Sequence, residues 1–366
     1  MLTLNRFLLL AGLAVLAACS GGRDGLNHSP RDTALASDGA AARAGGARVV
    51  VAVLDTGINV YHDFYHAGGP LYQDAPPSAV TPEVLAEFGI DESHILRPTR
   101  TGIFEEDFAA DQDMWSRVRP GDLYWVEGTN IIASSFADPA TGPIILPDNN
   151  SNTHGTGTSA AVLNANPEAI VLFVEVDSLG SVNTHSLAFT HPGVDFISTS
   201  YGVSIGGPVV GSTGVPQPEI STFGFSYEGV LEHGKMHFSS GGNGPGIAPM
   251  RAGAGPWWSI GVSGIEEYSS EGRTARSGVF PDFVSDFRQE LPYCAYCEDG
   301  YSNVGGTSFS TPRAAGVTSR VLLEARRLAG HRGGIREVDG TPLMVASGGV
   351  FISNWQLRRA LEVAAW

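Results

Sequence analysis

Arg48-Val49-Val50-Val51-Ala52-Val53-Leu54-Asp55 is the stretch that decides the fold. An unbroken apolar run rich in β-branched residues does not alternate as a half-exposed strand would. It suits a parallel strand buried on both faces. Similar runs occur at Ile170–Val176, Val194–Thr199 and Met236–Ser240. Between and after them, Thr158–Asn164, Asn183–Thr190, Pro312–Leu328 and Asn354–Ala365 read as helices. Strand and helix in repetition predict an α/β fold, a mostly parallel central sheet with helices on both faces.

The chain has 366 residues, room for one large domain with insertions or two modest ones. A net charge of −16 argues against nucleic acid as a partner, because phosphate binding needs a basic face. At the N-terminus Arg6 precedes an apolar run, Phe7–Leu16, too short to span a bilayer but long enough for a signal-peptide core. Leu16-Ala17-Ala18-Cys19, followed by Ser20-Gly21-Gly22, resembles a bacterial lipoprotein signal. The resemblance implies a signal peptide over 1–18, lipidation of Cys19 and membrane attachment through that anchor. Ser20 in place of an Asp leans towards outer-membrane sorting, so an exported lipoprotein at the outer membrane, cell surface or periplasm is expected. An ordinary secretory signal that happens to contain a cysteine is the plainer alternative. Residues 19–46, rich in Gly, Ala, Ser and Asp, read as a flexible tether.

The other cysteines, Cys294 and Cys297, lie in Pro-, Asp- and Gly-rich sequence. In an oxidising compartment a local disulfide is the expected pairing. A zinc site would need further ligands at close spacing, and a redox motif a strand-to-helix setting.

Three short segments place chemically capable residues beside small ones. Leu54-Asp55-Thr56-Gly57 sets an acid at the end of the buried strand, where ligands gather in open parallel sheets. Asn152-Thr153-His154-Gly155-Thr156-Gly157 brings a histidine into a helix start. Gly305-Gly306-Thr307-Ser308-Phe309-Ser310-Thr311-Pro312 presents a serine ahead of a helix whose first turn is expected to contain Pro312. Singly, each has a bland explanation: a cap, a loop histidine, a turn. Together, in the order Asp, His, Ser, they resemble the subtilisin-like serine proteases, the subtilase family, from Val49 to the C-terminus apart from the Tyr65–Asp148 stretch.

The resemblance implies a subtilisin-like three-layer domain over 47–366 and a serine endopeptidase acting on peptides or proteins. His154 would take the Ser308 proton and Asp55 would orient the imidazole. Asn243, in Ser239-Ser240-Gly241-Gly242-Asn243-Gly244, would donate to the oxyanion. Ser200-Tyr201-Gly202 would pair with extended substrate by strand addition, and Gly241 and Gly242 would border the pocket before the scissile bond. No cofactor is required. Structural calcium fits the family, with Asp148-Asn149-Asn150 as a source of oxygens, but no specific motif supports it and no metal ligand is assigned.

Three features depart from the family. Asp55 and His154 are 99 residues apart, which marks about 65–148 as an inserted acidic region with Glu105-Glu106-Asp107, Asp111 and Asp113. Gly157 and Ala160 also replace the residues usual after the histidine. No propeptide-length segment lies between Cys19 and the first strand. The insertion and the missing propeptide motivate an alternative, a catalytically inactive binding module on the cell surface. An α/β-hydrolase is disfavoured because Gly306-Thr307-Ser308-Phe309-Ser310 lacks the second glycine of a nucleophile elbow and the chain order differs.

Overall fold

Every residue of the opening valine run is buried, and the sheet shows why. The computed structural model describes residues 46–147, 153–176, 182–201, 224–243, 252–269, 272–276 and 281–364. Among them, ten strands form one sheet. These are β1 (Val50–Asp55), β2 (Ile95–Leu96), β3 (Tyr124–Val126), β4 (Ile131–Ser135), β5 (Ile170–Glu175), β6 (Phe196–Thr199), β7 (Met236–Ser240), β8 (Ile260–Ser269), β9 (Gly272–Arg276) and β10 (Phe283–Asp286). The spatial order is β10-β8-β7-β6-β1-β5-β4-β3-β2, with β9 beside β8. Only β3 with β4 and β8 with β9 pair antiparallel.

β1 sits mid-sheet between β5 and β6, with Val53 opposite Phe173 and Ser198. Its side chains alternate between two cores. Val49, Val51 and Val53 pack in the layer of α4 (His154–Ala165) and α6 (Thr307–Ala329), with Ala161, Val162, Leu322 and Leu323. Val50, Ala52 and Leu54 face the layer of α1 (Pro82–Glu87) and α5 (Val182–Thr190), with Val84, Phe88, Ala188 and Phe189. That is the expected three-layer arrangement.

The stretch from 65 to 148 joins this sheet through β2, β3 and β4, and adds α1, α2 (Phe104–Ala110) and α3 (Gln112–Trp115). Its acidic residues divide by role. Glu105, Glu106 and Asp113 are exposed, whereas Asp107 and Asp111 are buried. Asp111 accepts from Thr99 N and Oγ1, and from the Tyr61 hydroxyl at 2.8 Å. Asp107 accepts from Thr101 N and Oγ1. Each carboxylate thereby orders a stretch of loop that has no ladder of its own.

At the N-terminal ends of the strands lies a buried ion pair. Arg326, late in α6, donates to both Asp195 carboxylate oxygens at 2.6 and 2.8 Å, and neither side chain is exposed by more than 1%. Its remaining donors reach the carbonyls of Arg48 and Met344. Asp195 also accepts from Val50 N at 3.0 Å. All five guanidinium N–H groups are therefore satisfied, which is the condition for tolerating a charge pair in the interior. Nearby, buried Lys235 donates to the carbonyls of His191 and Val194, and burial pushes its pKa down to about 7 against the pull of Asp195.

Asp195→Ala would strand the Arg326 charge and is expected to cost about 3–5 kcal/mol of stability in urea unfolding. A double Asp195→Leu, Arg326→Met variant is expected to lose less than either single change.

Candidate active site

Parallel strands deliver their carboxyl ends to one edge, and three neighbours, β1, β6 and β7, end there in Asp55, Ser200 and Gly241–Asn243. α4 begins beside them with His154. Gly155 makes this approach possible, since a Cβ there would collide with the carbonyl oxygens of Thr56 and Gly57. His154 Nδ1–H donates to Asp55 Oδ1 at 2.7 Å. Asp55, 3% exposed, also accepts from Thr56 N on Oδ1 and from the Thr158 hydroxyl on Oδ2. Burial alone would lower the His154 pKa. The Asp55 charge and hydrogen bond outweigh it and hold the imidazole above its ordinary value.

Ser308 is the second residue of α6, two positions after Gly306. Its hydroxyl donates to Ser200 O at 3.2 Å, while the Ser200 hydroxyl donates to Ser308 O at 2.7 Å. No hydrogen bond among the described residues joins Ser308 to His154, a looseness common in substrate-free sites. The expectation of Pro312 in the first turn of this helix is corrected: α6 starts at Thr307 and Pro312 is its sixth residue. Having no N–H, Pro312 leaves the Ser308 carbonyl without its intrahelical donor, and the Ser200 hydroxyl donates to it instead. The proline four residues after the serine thus has a mechanical role: it frees a carbonyl that ties the helix start to the end of β6.

Asn243 Oδ1 accepts from Thr307 N at 2.8 Å and Thr307 Oγ1 at 2.9 Å, which fixes its amide with Nδ2 turned the other way. A Cβ placed on Gly306 would lie 3.5 Å from Asn243 Nδ2 and 3.6 Å from Ser308 N. Both N–H donors therefore border the same small space, left open by a glycine.

Gly241 N continues the sheet to Val262 O, and Gly242 N is committed to Thr307 Oγ1. The Tyr201 hydroxyl meets His185 Nε2 at 2.9 Å. Gly202, Cys19 and Asp148-Asn149-Asn150 lie outside the described residues. A cleft of about 800 Å³ opens elsewhere, among Arg48, Glu83, Asn130, Glu168 and Arg332 near the strands' N-terminal ends, and none of the described candidate residues lines it.

Sequence reasoning passes over several contributors. Thr158, Thr307 and Asn59 act through hydrogen bonds, and Phe309 packs its ring 5.3 Å from the His154 ring. Gly157, one of the departures from the family, leaves room for that ring: a Cβ would fall 2.9 Å from Phe309 and 3.1 Å from Tyr293. Polar residues beside the motif histidine and serine are a signal for Thr158 and Thr307. Asn59 carries none.

The sequence model of the subtilase family matches residues 46–337, and the chain belongs to that family. No curated protein sequence matches it. Among solved structures it is similar to a cold adapted subtilisin-like serine proteinase, with 16% identity, 87% of this chain and 82% of that one covered, and a TM-score of 0.45. It is similar to sphericase, with 16% identity, 87% and 83% coverage and a TM-score of 0.47. It is also similar to the patellamide maturation protease PatA, with 13% identity, 79% and 83% coverage and a TM-score of 0.43.

The segment that leads into Ser308 is carried by a hairpin of β11 (Arg288–Pro292) and β12 (Tyr301–Gly305). Cys294 and Cys297 form a disulfide in its loop. Asn59 Nδ2, just beyond the Asp55 turn, holds both Cys294 O (3.0 Å) and Cys297 O (2.7 Å). Glu298 bonds through its side chain to Asp107 of α2. Burial first, then the bond to the Asp107 carboxylate and its charge, push Glu298 up to about 7. Asp107 stays low because the donors around it outweigh its own burial.

The folded state holds the Glu298 proton more tightly than the unfolded chain does. This contact therefore stabilises fully below about pH 4.5, fades as pH rises, and is lost above about pH 7. Glu298→Gln keeps a neutral donor. It is expected to raise the melting temperature above wild type at about pH 8 and to leave it near wild type at about pH 4.

Proposed function

We propose that this chain is a serine endopeptidase with Asp55, His154 and Ser308 as its triad. The observation that carries the reading is the 2.7 Å Asp55–His154 bond standing at the same sheet edge as Ser308 and Asn243. An extended substrate would lie along Ser200-Tyr201-Gly202. As Ser308 Oγ leaves Ser200 O and forms its bond to the scissile carbonyl carbon, its proton passes to His154 Nε2. The carbonyl π pair moves to oxygen, and Asn243 Nδ2–H and Ser308 N–H stabilise that oxyanion. Collapse expels the amine, which takes the proton from His154, and leaves an acyl ester on Ser308. Water, deprotonated by His154, then attacks the ester and releases the acid and the serine hydroxyl. Every step uses protein groups and water, so no cofactor enters.

We further infer, from the resemblance of Leu16-Ala17-Ala18-Cys19 to a lipoprotein signal, that the enzyme is exported and held at a bacterial membrane by lipid on Cys19. Cys19→Ser is expected to move the protein from the membrane fraction to the soluble one, and intact mass of the native protein reads the acyl chains directly.

Casein cleavage and fluorophosphonate labelling test the chemistry. Both are expected for wild type and neither for Ser308→Ala; an unlabelled, inactive wild type that still binds its partner would favour the binding module. Asn243→Ala is expected to lower kcat about 10²–10³-fold, and Asp55→Asn on the order of 10⁴-fold. Because the base must be neutral and the Asp55 charge and hydrogen bond raise the His154 pKa against burial, activity should fall on the acid side with a midpoint above the ordinary imidazole value.

A further inference from the structure

Asp55 has two carboxylate oxygens, and only one faces the imidazole. Oδ1 takes His154 Nδ1–H and Thr56 N. Oδ2 takes the hydroxyl of Thr158, 2.9 Å away and fully buried. Thr158 lies four residues after His154 on α4, so one helix face presents both the base and a donor for the far oxygen. The Thr158 proton has a second acceptor, Gly155 O at 3.2 Å, but the carboxylate is nearer and charged.

We propose that Thr158 is a positioning residue for proton transfer, clamping the Asp55 carboxylate so that its other oxygen stays in line with His154 Nδ1–H. The inference rests on the triad reading above. A carboxylate held at one oxygen alone can turn about its terminal bond, which is soft. A second donor on the opposite oxygen removes that freedom. It also spreads the carboxylate charge, which tempers the hold on the imidazolium that forms when Ser308 loses its proton. Among the described residues, Asp55 is the charged group that acts on His154. Glu175, opposite Asp55 in the sheet, turns its Oε2 to Ile145 N.

The test compares the mature protein with Thr158→Val and Thr158→Ser, reading two quantities. The first is the His154 imidazole titration by NMR, which needs no turnover; the second is kcat and KM across pH. In Thr158→Val, Asp55 loses a donor in a buried site, so the His154 titration and the acid limb of kcat/KM are expected to move together to higher pH. At the plateau, kcat should drop on the order of tenfold with KM little changed. Thr158→Ser should restore both. A folded Thr158→Val whose His154 titrates as in wild type would overturn the proposal, as would a serine variant no closer to wild type than the valine one. If the valine variant does not fold, Thr158→Ala takes its place; failure of both to fold assigns Thr158 to stability alone and also overturns it. A wild type without Ser308 labelling defeats the peptidase reading separately, leaving the titration to decide on Thr158.

Discussion

The site depends on an interaction at the far side of the domain, the buried pair of Arg326 and Asp195. α6 has 23 residues, roughly 34 Å of helix, with Ser308 near its first turn and Arg326 near its last. Asp195 precedes β6, and it also holds the first amide of β1. The same two strands end in Ser200 and Asp55. One charge pair thereby fixes the helix against the strands whose opposite ends carry the candidate site, and rigid elements carry that alignment across the sheet. A buried pair is not an efficient way to gain stability. Its directional bonds specify where the helix must lie.

Much of this is legible in the sequence, for a physical reason. Val49–Leu54 lacks alternation because both faces of β1 are covered, and that absence is itself a pattern. The motif segments at Asp55, His154 and Ser308 are legible because close approach demands small neighbours. Gly155 stands where a side chain would collide with the Asp55 turn, and Gly157 where one would press on Phe309 beside Ser308. What is not legible depends on distant partners. Nothing near Asn59 announces a partner 235 residues away, and nothing near Asp195 announces one 131 residues away. Pro312 is recognisable as a motif residue, but its place in the helix is not, since the helix start rests on Asn243 taking Thr307 N.

The acidic stretch between 65 and 148 shows a related limit. Its strands are two to five residues long, too short to display a period. They extend the sheet beyond β5, and buried Asp107 and Asp111 organise the loops between them. Composition suggests a solvated surface, and for Glu105, Glu106 and Asp113 that holds. The buried pair of acids can be told apart from these only by knowing that Thr99, Thr101, Tyr61 and Glu298 converge on them.

His154 and Ser308 belong to helices of one layer, and those helices are locked together. A Cβ on Gly316 would press into Val162 and Ala165, while Asn166 bonds to Ser319 in the interior. Asp55, Ser200 and Asn243 belong to the sheet. His154 and Ser308 are therefore held to one another through the packing of their own helices. Their relation to the sheet rests instead on the bonds that cross between layers: Asp55 to His154, Ser200 to Ser308 and Asn243 to Thr307. The spacing of His154 from Ser308 is thus a property of the helical layer, and their aim at Asp55, Ser200 and Asn243 a property of the seam between sheet and helices.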